Sequence, residues 1–155
     1  MSKNKYLSLL LILLITFTAS AIGGFVTSIY KEPWYSEIIL PNFNPPSWVF
    51  GPVWTMLYIL MSIAAWLAWN KTSDKKILKL YLIHLFFNAI WSVIFFGFHR
   101  VGLALIDLII ILAFIVILMK VYYKENRISF YLIVPYFLWS MYALMLNFSI
   151  VLLNN

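Results

Sequence analysis

The stretch VGLALIDLIIILAFIVILMKVY, residues 101–122, decides the fold of this protein. It contains one acid, Asp107, and one basic residue, Lys120, and every other residue is apolar or small. An α-helix needs about 20 apolar residues to cross a hydrocarbon core of about 30 Å. The stretch is therefore predicted to be a transmembrane helix.

Four more stretches have a similar length and composition, at about residues 6–29, 47–70, 78–98 and 128–153. Of the 155 residues, 65% are hydrophobic and 10% are charged. A soluble domain carries about 25% charged residues, so this chain could not cover a water-facing surface. We predict an all-α membrane protein, a bundle of five transmembrane helices in a single domain over residues 1–155. Its longest connection is the loop 30–46.

The first apolar stretch has an alternative interpretation as a secretory signal. Lys3 and Lys5, the apolar run Leu7–Thr16 and Ala19-Ser20-Ala21 resemble such a signal with its cleavage site. A retained helix is favoured because apolar residues continue as far as Ile29. Small residues also recur at helical spacing, which lets helices approach closely in lipid, at Thr16, Ser20, Gly24 and Thr27. Such a stripe could pack within the bundle or form a homodimer, and the sequence does not choose.

Basic residues are distributed unevenly between the two ends of the predicted helices. Only Lys31 and Arg100 lie in the first and third connections. The other nine lie at the N-terminus and in the second and fourth connections: Lys3, Lys5, Lys71, Lys75, Lys76, Lys79, Lys120, Lys124 and Arg127. For a bacterial or archaeal plasma membrane, the positive-inside rule then predicts a cytoplasmic N-terminus and an outward C-terminus and loop 30–46. These short clusters form no basic stripe, so no nucleic-acid partner is predicted.

Polar and aromatic residues share helical faces in three of the predicted helices. One face holds His84, Asn88, Trp91, Ser92 and Phe95, another holds Tyr136, Trp139, Ser140, Ala143 and Asn147, and a third holds Trp54 and Tyr58. In lipid such faces point into the bundle. They would serve interhelical packing, or they would line a pocket for a flat amphipathic ligand. Both interpretations stay open here.

Residues for conventional catalysis are scarce. The chain has no cysteine, which excludes disulfides, thiolate chemistry and cysteine-ligated metals. No nucleophile–base pair and no metal-ligand spacing stand out, so we predict no metal site. Asp107, the only acid inside a predicted membrane helix, is a candidate functional residue. Alternatively it pairs with Arg100, two helical turns earlier on the same face.

The first loop contains Pro33-Trp34-Tyr35 and, further on, Pro41-Asn42-Phe43-Asn44-Pro45-Pro46-Ser47-Trp48. Three prolines within six residues fix φ and restrict the residues before them to extended conformations. A stiff aromatic loop of this length is expected to cover something, although an ordinary connector is the alternative.

These loop residues, together with other motifs, resemble the tryptophan-rich sensory protein/translocator protein (TspO/MBR, peripheral benzodiazepine receptor) family. The further matching motifs are Pro52-Val53-Trp54-Thr55-Met56-Leu57-Tyr58, Asn88-Ala89-Ile90-Trp91-Ser92, Ala104-Leu105-Ile106-Asp107 and Val134-Pro135-Tyr136-Phe137-Leu138-Trp139. They run in order from about Trp34 to Asn147. The resemblance implies a five-helix fold, often dimeric, with a ligand pocket open toward the first loop.

The resemblance also implies a function. Members bind porphyrins such as protoporphyrin IX, and some bind sterol-like or other hydrophobic ligands; bacterial relatives degrade the porphyrin in light and oxygen. Trp54 and Trp139 match the residues implied to react with the excited ring. Combined with the shared faces and the loop, this gives the predicted ligand site of Tyr35, Pro46, Trp54, Tyr58, His84, Asn88, Trp91, Ser92, Trp139 and Ala143.

No obligatory cofactor is predicted, because the porphyrin would be a ligand or a substrate. Photo-oxidation would be the only enzymatic activity. Two alternatives remain: a carrier of tetrapyrroles or sterol-like lipids, and a non-catalytic sensory regulator. The chain departs from the family pattern at Leu40, Phe43, His84 and Leu144, so we expect the mouth and polarity of the pocket to be altered.

Overall fold

The computed structural model describes residues 3–154, with side chains from Lys5 onward. Met1, Ser2, Asn155 and the side chains of Lys3 and Asn4 are outside the described residues, together with the parts of the predicted domain and charge count that fall on them. The described helices are α1 (Lys3–Tyr30), α2 (Trp34–Glu37), α3 (Ser47–Thr72), α4 (Lys75–Ser92), α5 (Val101–Glu125) and α6 (Arg127–Leu153). Five of them are long and apolar enough to cross a membrane, α4 together with the turn that follows it. The predicted all-α, five-helix membrane fold is confirmed.

Capping side chains set the helix boundaries at the tight turns. Ser73, with φ 57°, ends α3, and Asp74 accepts a hydrogen bond from the Lys76 amide at 2.8 Å. Because of this cap, α4 starts at Lys75. The apolar pattern alone had predicted a start at residue 78. Asn126 caps α6 by accepting from the Ile128 amide at 3.0 Å. The short turn at Asn126 leaves α5 and α6 as antiparallel neighbours, whereas α3 and α4 are not adjacent in the bundle although the turn between them is also short.

The five long helices pack as a closed ring in the order α1, α3, α6, α5, α4. Small residues permit the close approaches. Ala64, Ala65 and Ala68 of α3 are completely buried. On α1, a Cβ atom at Gly23 would lie 3.1 Å from the Ser92 hydroxyl of α4. In lipid, this close backbone packing supplies much of the association free energy of the helices.

The outer surface of the ring is apolar. Leu14, Phe86, Ile106 and Leu138, from four different helices, are each more than half exposed. In a membrane these side chains contact acyl chains, whereas the polar groups turn inward. The small-residue stripe of α1 also turns inward: Thr16 is buried, and the rest of the stripe faces the centre of the bundle.

The end of α4 departs from regular α-helix. A π-helical turn, Val93–Gly97, follows Ser92, and the Phe98 amide donates to the carbonyl of Val93, five residues earlier, at 2.9 Å. The sequence predicted a continuous helix as far as residue 98. The wider turn brings the consecutive residues Phe95 and Phe96 onto the interior of the bundle. Such turns are frequent at functional sites.

Candidate ligand-binding cavity

A cavity of about 370 Å³ lies inside the ring, beneath the first loop. Ligand pockets typically measure about 300–1,000 Å³. All five long helices contribute to its wall, and so do the loop and the π turn. The lining residues are Ser20, Gly24, Thr27, Lys31, Tyr35, Asn44, Ser47, Phe50, Gly51, Trp54, Thr55, Tyr58, Asn88, Trp91, Ser92, Phe95, Phe96, Leu108, Ile111, Tyr136, Trp139, Ser140, Ala143, Leu146, Asn147 and Ile150.

Most of the predicted site residues meet in this cavity. Eight of the ten line it: Tyr35, Trp54, Tyr58, Asn88, Trp91, Ser92, Trp139 and Ala143. Pro46 does not, because it is exposed and forms the cap residue at the start of α3. His84 does not either, because it is completely buried one helical turn beyond Asn88 and hydrogen-bonded to Tyr136. The shared face of α4 thus extends deeper than the cavity does.

Both candidate reactive indoles line the same cavity in contact with other aromatic rings. Trp54 stacks on Tyr58, with ring centroids 5.4 Å apart, and meets Tyr136 edge-on at 6.1 Å. Trp139 meets Phe50 edge-on at 6.1 Å and lies 5.5 Å from Tyr142. Aromatic contacts of this kind fix ring orientation as well as adding apolar area.

A hydrogen-bonded chain forms one wall of the cavity. The Tyr58 hydroxyl donates to Asn88 Oδ1 at 2.8 Å, and Asn88 Nδ2 donates to the Tyr136 hydroxyl at 2.9 Å. His84 Nε2 lies 2.7 Å from the same hydroxyl. The chain joins α3, α4 and α6 and satisfies polar groups that lipid could not hydrate.

The mouth of the cavity holds one lysine, Lys31, which forms an ion pair with Glu32 at 3.6 Å. Among the described residues, Lys31 is the one charged residue in the lining; its Nζ lies 5.0 Å from the centre of the Tyr35 ring and donates to Ser47 Oγ at 3.1 Å. Tyr35 donates to Asn44 Oδ1 at 3.2 Å. Burial raises the pKa of the Tyr35 phenol above its ordinary value, and the bond to Asn44 partly offsets this. The phenol therefore remains a neutral donor at physiological pH.

The first loop is fastened over the cavity rather than hanging free. Trp34 stacks on His99 at 4.4 Å between ring centroids and meets Phe95 edge-on at 5.5 Å. The Tyr142 hydroxyl of α6 donates to the Phe43 carbonyl at 2.6 Å. Asn154 exchanges two hydrogen bonds of 2.9 Å with the Ile39 backbone. The loop thus acts as a cover held at both the π turn and α6.

Releasing the loop from α6 is expected to speed ligand exchange. The double variant Tyr142→Phe/Asn154→Ala removes three hydrogen bonds to the loop backbone. The dissociation rate of a fluorescent ligand held in the cavity, measured by stopped-flow fluorescence, should rise by about tenfold if the closed loop loses about 1.4 kcal/mol of stability. The matched control is Ser36→Ala, because that hydroxyl bonds only within the loop, to Glu32 and Pro33. Equal dissociation rates in all three proteins would contradict this role.

Several lining residues carried only a weak signal in the sequence. In the sequence, Lys31 contributed only to the predicted orientation of the chain in the membrane, because no local pattern placed it at a cavity mouth. Phe50 lies one turn before Trp54 on α3 and could have been found from that spacing. Ser140, completely buried with no hydrogen-bond partner for its hydroxyl in the described structure, shared a predicted face with Trp139.

Asp107 lies outside the cavity lining. It is buried, and one of its carboxylate oxygens has no hydrogen-bond partner among the described residues. The alternative prediction of a pair with Arg100 is wrong, since within residues 5–154 the one ion pair is Lys31–Glu32, at 3.6 Å. Arg100 is instead exposed, directly before α5.

The expected alteration of the cavity by the departures from the family pattern is not found in its lining. None of the four residues lines the cavity. Leu40 packs with the cluster around Phe95, Phe43 packs against Tyr142, and Leu144 packs on the main core. His84 acts on the wall through Tyr136.

Five membrane helices around an aromatic cavity, covered by a tethered loop, define a class of membrane protein with a ligand-sized cavity inside its helix bundle. The sequence profile of the TspO/MBR family matches residues 11–153. The chain belongs to this family.

Relatives span nearly its whole length. It is 38% identical over 149 residues to the tryptophan-rich protein TspO of Archaeoglobus fulgidus, covering 95% of this chain and 94% of the relative. Identity to the tryptophan-rich sensory protein of Cereibacter sphaeroides is 34%, covering 92% and 91%. The human translocator protein is 31% identical, covering 85% and 83%.

Proposed function

We propose that this protein binds porphyrins such as protoporphyrin IX in its cavity and degrades the bound ring when it is illuminated. The observation that carries the proposal is that Trp54 and Trp139 line one cavity whose mouth holds a single cation. Membership of a family whose relatives are named as sensory and translocator proteins supports a role in recognising small molecules at the membrane.

The lining suits a flat, amphipathic ligand with acidic substituents. Indole and phenol rings supply apolar area, and Asn88, Ser92 and Ser140 supply polar contacts. At about 370 Å³ the cavity is near the lower end of the range for ligand pockets, so a tetrapyrrole would extend into the mouth. There the Lys31 ammonium would exchange its ion pair with the exposed Glu32 for a pair with a propionate group.

The two indoles supply the chemistry. Indole is electron-rich, and a photoexcited porphyrin is a strong one-electron oxidant. An electron passes from the indole to the excited ring, which leaves an indole radical cation and a porphyrin radical anion. Molecular oxygen is the co-reactant for the later loss of the ring. The protein orients the ligand against the donor and keeps water out.

Titration of the detergent-solubilised protein with protoporphyrin IX tests the proposal. We expect saturable quenching of tryptophan fluorescence in the dark, followed by loss of the porphyrin absorption bands under visible light. Saturable binding without bleaching would identify a sensory regulator or a carrier instead, and flux into liposomes would separate those two. Absence of saturable binding would overturn the function while leaving the fold intact.

We further propose that the protein lies in a plasma membrane with the cavity mouth facing outward. Eight of the ten Lys and Arg side chains that the structure describes lie at the opposite end: Lys5, Lys71, Lys75, Lys76, Lys79, Lys120, Lys124 and Arg127. Retention of positive charge on the cytoplasmic side of a membrane orients a chain in this way.

Cysteine labelling checks this orientation, since the chain has no cysteine of its own. The single variants Lys76→Cys and Asn42→Cys place thiols at exposed positions at opposite ends of the bundle. A membrane-impermeant maleimide added to whole cells should label the Asn42→Cys protein and reach the Lys76→Cys protein only after lysis. The reverse pattern would invert the topology.

A further inference from the structure

The hydrogen-bonded wall of the cavity continues beyond it to a buried base. Tyr58, Asn88 and Tyr136 line the cavity, but His84, at the end of the chain, does not. Neither Tyr136 nor His84 has any exposed surface. Their rings meet edge-on at 5.3 Å, and the Tyr136 hydroxyl lies 2.7 Å from His84 Nε2.

The donors in this series of hydrogen bonds determine where its protons lie. Tyr58 donates to Asn88 Oδ1, so the Asn88 amide is oriented with Nδ2 toward the Tyr136 oxygen, to which it donates. The Tyr136 oxygen accepts that bond and has one proton of its own to give. When neutral His84 carries its proton on Nδ1, the Tyr136 proton is directed at Nε2, 2.7 Å away, and this is the arrangement that proton transfer to His84 requires.

Tyr136 is also in contact with a candidate reactive indole. The Trp54 and Tyr136 rings meet edge-on, with centroids 6.1 Å apart. The side chain of Tyr136 thus touches an oxidisable indole on one side and a base on the other. A phenol loses an electron readily only if its proton leaves at the same time, because the cationic phenol radical is a strong acid.

We propose that Tyr136 and His84 form a proton-coupled redox pair that reduces the Trp54 radical cation. One electron moves from the Tyr136 phenol to the Trp54 radical cation, and the Tyr136 proton moves to His84 Nε2. The products are a neutral Trp54 indole, a neutral Tyr136 phenoxyl radical and a protonated His84. The electron count and the total charge are unchanged, so no additional charge is buried. The oxidant that first removes an electron from Trp54 is the photoexcited tetrapyrrole of the proposed function, on which the physiological role of this step rests.

The neighbouring tyrosines lack the second half of the pair. Tyr58 stacks on Trp54 at 5.4 Å, but its hydroxyl bonds to an amide oxygen, which is a poor base. Tyr142 lies 5.5 Å from Trp139, and its hydroxyl donates to a backbone carbonyl. Among these three tyrosines, Tyr136 alone is hydrogen-bonded to an imidazole. His84 is accordingly a positioning and proton-accepting residue that never touches the ligand.

The first experiment needs no porphyrin. Full-length protein in detergent, with ring-deuterated tyrosine to identify tyrosyl signals, is irradiated with ultraviolet light that photoionises tryptophan. Ferricyanide serves as the electron acceptor, and the sample is freeze-quenched for electron paramagnetic resonance. We expect a tyrosyl radical in the wild type that is lost in Tyr136→Phe and reduced at least about tenfold in His84→Gln, with tryptophanyl radical in its place. Glutamine keeps a hydrogen-bonding group beside Tyr136 but cannot act as the base.

Tyr131→Phe, at an exposed position of α6 outside the cavity lining, is the matched control and should leave the tyrosyl signal unchanged. Circular dichroism and dark porphyrin binding establish that each variant is folded. Should Tyr136→Phe or His84→Gln fail to fold, ring-deuterated wild type measured in H₂O and D₂O replaces it, and slower tyrosyl formation in D₂O is then expected. Tryptophanyl radical alone in the wild type, or a tyrosyl signal that persists in Tyr136→Phe, would overturn the pair.

A second experiment separates this inference from the proposed function. The same proteins are loaded with protoporphyrin IX and exposed to visible light, and oxidised Trp54 is quantified by mass spectrometry. We expect several-fold more irreversible oxidation of Trp54 in Tyr136→Phe than in the wild type. Tyrosyl radical under ultraviolet light but no porphyrin loss under visible light would refute the function and keep the pair. Porphyrin loss under visible light, without a Tyr136 radical in the first experiment, would refute the pair and keep the proposed function.

Discussion

Replacing both Trp54 and Trp139 by phenylalanine is expected to abolish the light-dependent loss of protoporphyrin IX while leaving dark binding largely intact. Phenylalanine retains most of the apolar area that lines the cavity, so affinity should fall by less than about tenfold, or about 1.4 kcal/mol. It is much harder to oxidise than indole, so the excited ring loses its electron donor. Absorption spectra under illumination and fluorescence titration in the dark measure the two quantities separately.

Trp48→Phe is the matched control for this variant. Trp48 is near the start of the same helix as Trp54, but it is 76% exposed and does not line the cavity. The Trp48→Phe protein should bleach the porphyrin at the wild-type rate. Unchanged bleaching in the Trp54→Phe/Trp139→Phe protein would remove the photochemical mechanism, and an equal loss in Trp48→Phe would point to a general effect of tryptophan content.

Filling the cavity, unlike replacing the two indoles, is expected to weaken ligand binding itself. Ala143 lines the cavity on α6, one turn beyond Trp139, and its small side chain leaves room for a ligand. Ala143→Phe places a phenyl ring in that space. Because the ring and a tetrapyrrole cannot occupy the same volume, the affinity for protoporphyrin IX should fall by at least about tenfold. Fluorescence titration against the wild type measures the loss.

Ala113→Phe makes the same chemical change on the lipid-facing surface of α5, where Ala113 is exposed and away from the cavity. Its affinity should match that of the wild type. Thermal unfolding of both variants shows whether the added ring disturbs the bundle, since overpacking a tight site costs about 1–3 kcal/mol. Wild-type affinity in a folded Ala143→Phe protein would place the ligand elsewhere.

The five membrane helices were predictable because their signal is local. A run of about 20 apolar residues can satisfy its own backbone in lipid only as a helix, so 101–122 needs no partner to be recognised. Periodicity also predicted which residues of one helix share a face, as for Asn88, Trp91 and Ser92. Helix ends were less accurate where a polar cap such as Asp74 overrides the apolar pattern.

The role of the first loop was predictable from the sequence, but its contacts were not. Its prolines predicted a stiff cover, and contacts of Trp34 with His99 and of Tyr142 with the Phe43 backbone now account for its position. Those partners are far apart in the sequence, and no local pattern pairs them. The π turn after Ser92 was likewise not predictable, because no residue type requires it.

The sequence by itself determined the class of the protein, the five spans, the family and the aromatic and polar faces that line the cavity. Each of these depends on the composition or spacing of residues near each other in the chain. The tertiary structure alone decided that Lys31 lies at the mouth, that Pro46 and His84 lie outside the lining, and that His84 touches Tyr136. Those outcomes depend on how far each helix is rotated and shifted against its neighbours, and that is set by close packing of small residues between helices.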